Sequence, residues 1–178
     1  MSFFIYRTMK KLFTILLFIY AGSALAQEKT RQTNKVAILG EVEKESVITM
    51  DSLKQYKIAE IGDVNVTDHT GAFKHKDDQL KGILLKDVLS HTKFKTTSPK
   101  LLSRFYFVCT GIDGYKVVYS WNELYNTMVG DHVYIIMEKN GITANKMPES
   151  IQMTSAADIK TGRRYLHNLD KIVVEQVK

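Results

Sequence analysis

RFYFVCTGIDGYKVVYSWNEL, Arg104–Leu124, decides the fold. Two apolar, β-branched and aromatic runs, Arg104–Cys109 and Tyr115–Tyr119, flank TGIDG, whose Gly and Asp residues supply turn chemistry. The stretch therefore predicts two strands joined by a tight turn. WNELYNT, Trp121–Thr127, follows as a short helix. Downstream, HVYIIMEKNG, His132–Gly141, reads as a strand closing in Asn-Gly, the strongest short hairpin signal. A short strand near Ser150–Thr154 and KIVVEQV, Lys171–Val177, complete this half.

Upstream, VAILGEV (Val36–Val42) and SVITM (Ser46–Met50) predict two more strands, and Asp51 stands where a helix N-cap belongs, ahead of DSLKQY. KIAEIGDVNVT, Lys57–Thr67, predicts a strand interrupted at Gly62-Asp63 by a hairpin or bulge. Asp68–Lys81 is the most polar long connection and reads as a loop of the functional kind. GILLKDVLSHT, Gly82–Thr92, predicts a short helix lying against the sheet. Strands and short helices alternate without a regular βαβ period, so the expected class is α+β, a single domain with a mixed sheet.

The N-terminus carries a separate signal. Arg7, Lys10 and Lys11 precede the uncharged run Leu12–Ala21, and Ala24-Leu25-Ala26 fits a cleavage site before Gln27. Residues 1–26 are expected to be a signal peptide, with Met1 or Met9 as the start, and residues 27–178 the mature domain. Ten uncharged residues fall short of the roughly 20 needed to span a bilayer, so no stable membrane span is expected after cleavage. The expected location is the periplasm or outside the cell. Removing residues 1–26 takes away three basic residues and no acidic one, leaving 22 basic against 19 acidic and a net charge of +3. That charge is low and scattered, as in KHKDDQLK (Lys74–Lys81), so no nucleic-acid partner is expected. A composition of 44% hydrophobic and 25% charged residues is that of an ordinary globular domain.

Taken together, GILLKDVL, VCTGIDGYKVVYSWNEL, YIIMEKNGI with Pro148 after it, and GRRYLHNLDKIVVEQV follow one another in an order that resembles the molybdopterin-binding oxidoreductase domain of the sulfite oxidase type. The resemblance covers most of the mature chain, carried by Gly82 with Leu85 and Leu89, Asp113-Gly114-Tyr115, Asn140-Gly141, Pro148, and Arg163 through Ile172. It implies a molybdopterin cofactor and redox catalysis. Two departures bear on that implication. Where catalytic relatives place a metal-binding cysteine, before the Gly-x-x-Leu helix, this chain has Asp68-His69-Thr70-Gly71. After Pro148 it has Glu149, Ser150 and Ile151 in place of the family's arginine. A thiolate donates to a redox metal as carboxylate and imidazole do not. The leader also lacks the twin arginine of proteins exported with cofactor inserted, which implies export as an unfolded chain.

The candidate pocket residues are Asp113, Gly114, Tyr115, Tyr119, Arg163 and Arg164. On strand spacing Tyr115 and Tyr119 face one side, and the arginine pair beside Lys160 suits an anion. A connecting turn and ordinary core packing are the plainer uses of the same residues. Asp68, His69 and His75, with His91 after the next helix, are the candidate metal constellation, although a spacing of six matches no compact motif. Cys109, the only cysteine, excludes an internal disulfide and is read either as an inert buried thiol or as a metal ligand or intermolecular bridge. No Gly-x-Ser-x-Gly turn or phosphate-binding glycine loop occurs. Two functions follow. One is a non-catalytic, cofactor-free relative binding a small anionic or pterin-like ligand or an exported protein partner. The other is a molybdopterin-dependent oxidoreductase with an unconventional ligand set.

Overall fold

A computed structural model describes residues 32–178, which lie in one compact unit. The expected signal peptide lies outside the described residues. Ten strands form two five-stranded sheets. The first contains β1 (Lys35–Gly40), β2 (Ser46–Thr49), β5 (Phe105–Gly111), β6 (Lys116–Ser120) and β10 (Leu169–Gln176), in the order β2-β1-β10-β5-β6. It is mixed: β10 runs parallel to β1 and antiparallel to β5. The second contains β3 (Ala59–Thr67), β4 (Phe73–Leu84), β7 (Val133–Lys139) and β8 (Ile142–Thr143) in that order, with β9 (Gln152–Ser155) paired to β7. The α+β expectation holds, with two sheets instead of one.

Alternation along the strands builds the main core. Val36 and Ile38, Phe105, Phe107 and Cys109, Val117 and Tyr119, and Ile172 and Val174 point inward from the first sheet, meeting Ile83, Val133, Ile135 and Met137 of the second. The short helix α2 (Leu85–Val88) adds Leu85 and Val88, and α3 (Trp121–Asn126) adds Leu124. A second cluster of Val64, Val66, Leu80, Ile136, Met147 and Tyr165 lies under the β3–β4 hairpin.

Several local expectations need correction. Helix α1 (Met50–Leu53) is capped by Thr49, not Asp51: the Thr49 hydroxyl accepts from the Ser52 amide at 3.2 Å, and the Ser52 hydroxyl accepts from the Thr49 amide at 2.7 Å. Asp51 pairs instead with Lys54. At Gly62-Asp63, of the hairpin or bulge expected, it is the bulge that forms, within a continuous strand. The polar stretch after Asp68 is largely strand, with only Asp68–Ala72 turning. Its outer half pairs with β3 alone and faces water, so it lacks the apolar alternation that marks a strand, and polar pairs such as Lys76 with Asp63 tie its two arms. Gly82–Leu84 finish β4, and the helix begins only at Leu85. A side chain at Gly82 would come within 2.7 Å of the Ile135 carbonyl oxygen, which explains a glycine where β4 crosses to β7.

Elsewhere the expected elements stand. Ser120 caps α3 in a reciprocal box with Glu123. Asn140 and Gly141 both have positive φ, 54° and 73°, as the two-residue hairpin between β7 and β8 requires.

Edge strand β3 is held by a side chain. The buried Thr161 hydroxyl donates to the Asn65 carbonyl at 2.7 Å and accepts from the Thr67 amide at 3.1 Å. We expect Thr161→Val, which keeps the shape and orphans both groups, to cost about 1–3 kcal/mol in urea denaturation and to raise amide exchange at Thr67 ahead of the main core.

Candidate functional site

The segment Lys160–His167 carries most of the site. Thr161 fastens it to β3, and Gly162 permits the approach, since a Cβ there would lie 1.9 Å from the Thr67 carbonyl oxygen. This brings Lys160 and Arg163 beside the Asp68–Ala72 turn, where Arg163 Nη2 donates to the His69 carbonyl at 3.1 Å. Tyr115 reaches the same point from the first sheet, its hydroxyl donating to the Arg163 carbonyl at 2.7 Å. Asp113 and Gly114 shape the turn that delivers it: Asp113 Oδ1 accepts from the Tyr115 amide at 2.9 Å, and Gly114 takes a φ of +83°. Tyr115, Arg163 and His69, distant in sequence, thus meet on one exposed face.

Arg164 points the other way. It grips Asp158 through Nε (2.7 Å) and Nη2 (2.5 Å), reaches Glu123 through Nη1 (3.0 Å), and lies 4.4 Å over the centroid of the Tyr119 ring. Ser155 holds Asp158 from behind. With all three nitrogens engaged, Arg164 is a tie between elements, not a free anion ligand. Tyr119 is wholly buried, burial raises its hydroxyl above the ordinary tyrosine range, and that hydroxyl finds no hydrogen-bond partner among the described residues. The shared side expected for Tyr115 and Tyr119 does not form, because β6 begins only at Lys116 and Tyr115 swings out to the arginine segment.

The metal candidates are dispersed. Asp68 Oδ1 accepts from the Thr70 hydroxyl and from the amides of Thr70, Gly71 and Ala72, all within 3.0 Å. The Thr70 hydroxyl first, then these amides, hold its carboxyl down at about 2. His69 is exposed at the same turn, while His75 stands on β4 with Nε2 3.5 Å from Asp77. His91 packs against Tyr56. Cys109 lies inside the main core, and burial pushes its thiol up to about 12. Among the described residues, no three His, Cys, Asp or Glu side chains converge as a metal site.

A buried polar network escaped the sequence reading. The Tyr165 hydroxyl donates to Asp77 Oδ2 at 2.7 Å and accepts from Lys139 Nζ at 3.1 Å, while Lys139 also donates to Gln152 Oε1 at 3.0 Å. Asp77 is 2% exposed. Desolvation, then the Asp77 hydrogen bond, raises the Tyr165 hydroxyl well above its usual range, so it stays protonated and donating. The His167 ring lies tilted against Tyr165, centroids 5.0 Å apart, and pairs with Glu149 at 2.8 Å. One signal was available: Gln152 interrupts the apolar run Ile151–Met153, and a polar side chain buried in a strand requires a partner. Asp77 gave none, sitting in a run already polar throughout.

With this geometry in place, one comparison is informative. The fold is that of a solved enzyme. Sulfane dehydrogenase SoxCD from Paracoccus pantotrophus superposes with a TM-score of 0.58 at 13% sequence identity, over 85% of this chain and 41% of that one. The present chain thus spans about two fifths of the SoxCD chain it matches. No known family profile matches the sequence. No curated protein does so either.

Two outcomes follow from the site. Tyr165→Phe leaves the buried Asp77 carboxylate short of a donor and should destabilise the protein by about 1–3 kcal/mol, whereas Tyr115→Phe, on the surface, should change stability by less than about 1 kcal/mol; chemical denaturation separates them. Asp68 has a folded pKa below its unfolded value of about 4, so its contribution is full above that pH and is lost as pH falls toward 2. Amide exchange at Thr70, Gly71 and Ala72 should therefore accelerate, relative to the core, between pH 4 and 2, and Asp68→Ala should remove that difference.

Proposed function

We propose that this protein is an exported binding domain on the SoxCD-type fold, a distant non-catalytic relative of the sulfite oxidase type, which takes a small anionic ligand at the Tyr115–Lys160–Arg163 face. One observation carries this reading: the only cysteine is sealed in the core as a protonated thiol. The region to which the resemblance gives a thiolate is Asp68-His69-Thr70-Gly71 here, where Asp68 Oδ1 is committed to its own turn. The donor set does not fit the molybdenum cofactor that the resemblance implies, because Cys109, the one source of a thiolate, cannot reach solvent without breaking the core.

What the exposed residues can do is bind. Arg163 gives one nitrogen to the His69 carbonyl, and its remaining donors have no partner among the described residues. A planar guanidinium with free donors suits a carboxylate or phosphate edge, and Lys160 adds a second positive charge beside it. Tyr115, 45% exposed, offers the face of a ring to a flat heterocycle such as a pterin. The leader supports delivery to the periplasm or outside the cell in unfolded form, and an exported protein partner bearing an acidic side chain would meet the same groups.

Protein purified from the exported fraction of its native host should contain neither molybdenum nor extractable fluorescent pterin at stoichiometric level, as read by elemental mass spectrometry and pterin extraction. Molybdenum and pterin near one per chain would overturn the reading in favour of a redox enzyme with an unconventional ligand set. Phosphate should raise the thermal midpoint of the wild type, and Arg163→Ala should weaken that response by roughly tenfold in concentration.

A further inference from the structure

The first sheet has a second face. Its inward residues fill the main core, whereas Leu39, Val173, Val108 and Val118 point outward and pack against neither hydrophobic cluster. They are adjacent in register: Val173 pairs with Leu39 on one side and Val108 on the other, and Val108 pairs with Val118. Four apolar side chains thus form one stripe straight across β1, β10, β5 and β6, with Val118 49% exposed. A sheet face turned to water ordinarily carries polar residues.

The flanks of the stripe are charged, and oppositely so. Two residues back along β10, Lys171 pairs with Thr110, which pairs with Lys116, so one flank is basic. Two residues forward, Glu175 pairs with Tyr106 and accepts a hydrogen bond from its hydroxyl, so the other flank is acidic. Such a surface is complementary to itself. If a second copy is turned by a twofold axis running along the stripe, the apolar rows coincide and each basic flank lies over the other copy's acidic flank. Lys171 then faces Glu175 of the second copy, and the reverse. An axis running along the strands instead would set like charges together.

We infer that this face is the interface of a homodimer with two-fold symmetry, in which the outer faces of the two mixed sheets stack with β10 crossing over its own counterpart. Four strands about 4.8 Å apart and three rows about 6.8 Å apart make a patch of roughly 400 Å² per copy, about 800 Å² for the pair, below the usual range of stable specific interfaces. The dimer is therefore weak, with dissociation in the micromolar range.

The full chain is expressed with its leader, and the recovered protein is followed by sedimentation velocity over a dilution series, with circular dichroism to verify folding. The wild type should dimerise, and Val118→Lys, on an exposed edge-strand position, should abolish the dimer while leaving the fold intact. Lys171→Glu should weaken association about tenfold, and Lys171→Glu combined with Glu175→Lys should restore it to within about threefold, because the facing pair of residues 171 and 175 has merely exchanged sign. A monomer at every concentration overturns the inference, as does a dimer indifferent to Val118→Lys. So does failure of the double exchange to recover association when the fold is retained.

Discussion

Arg164 is the joint on which the rest of the architecture turns. Two sheets sharing one core must be linked by a chain segment that crosses between them, and that segment carries backbone groups needing partners in a crowded place. The Arg164 guanidinium supplies the crossing with a rigid fork. It is bidentate on Asp158 just after β9, single on Glu123 at the first turn of α3, and seated on the Tyr119 ring of β6. One side chain thus ties its own segment to three other elements. Because Glu123 also closes the capping box of α3, the helix start and the crossing are set together.

That joint places the neighbours of Arg164 with opposite fates. Arg163 is turned outward to the hairpin tip, and Tyr165 is turned inward to Asp77 and Lys139. Three successive residues thus serve an exposed face, an inter-element tie and a buried network. A pair of arginines in sequence looks like a single anion site, but Arg164 has each of its three guanidinium nitrogens engaged by Asp158 and Glu123, whereas Arg163 has one engaged by the His69 carbonyl.

Much of the fold was legible because the central strands obey simple alternation. Phe105, Phe107 and Cys109 inward, with Tyr106 and Val108 outward, is a period of two that only a strand explains, and the Asp-Gly and Asn-Gly turns fix where those strands end. The outer arm of β4 was not legible for the converse reason. From Phe73 to Lys76 every residue is exposed, so no burial pattern is written into the sequence there, and strand pairing with β3 comes from backbone bonds and polar cross-strand pairs. The site was half legible. Types and neighbourhoods were readable for Tyr115 and Arg163, but composition cannot tell a carboxylate available to a ligand from one spent on its own backbone, and Asp68 and Asp113 are of the second kind.

The two cores differ in character, and this bears on what a ligand would do. The main core is apolar apart from the Tyr119 hydroxyl, whereas the smaller one under the β3–β4 hairpin encloses charged and amide groups that must all stay paired. Breaking one partner there strands the others, so the hairpin should open as a unit at lower free energy than the main core. The exposed Arg163 face spans that boundary, with the His69 turn belonging to the hairpin and Tyr115 to the first sheet. A ligand held across the boundary binds only the closed form. Its binding free energy is then added to the closing of the hairpin, and occupancy of the surface site becomes readable as protection of a buried tyrosine network.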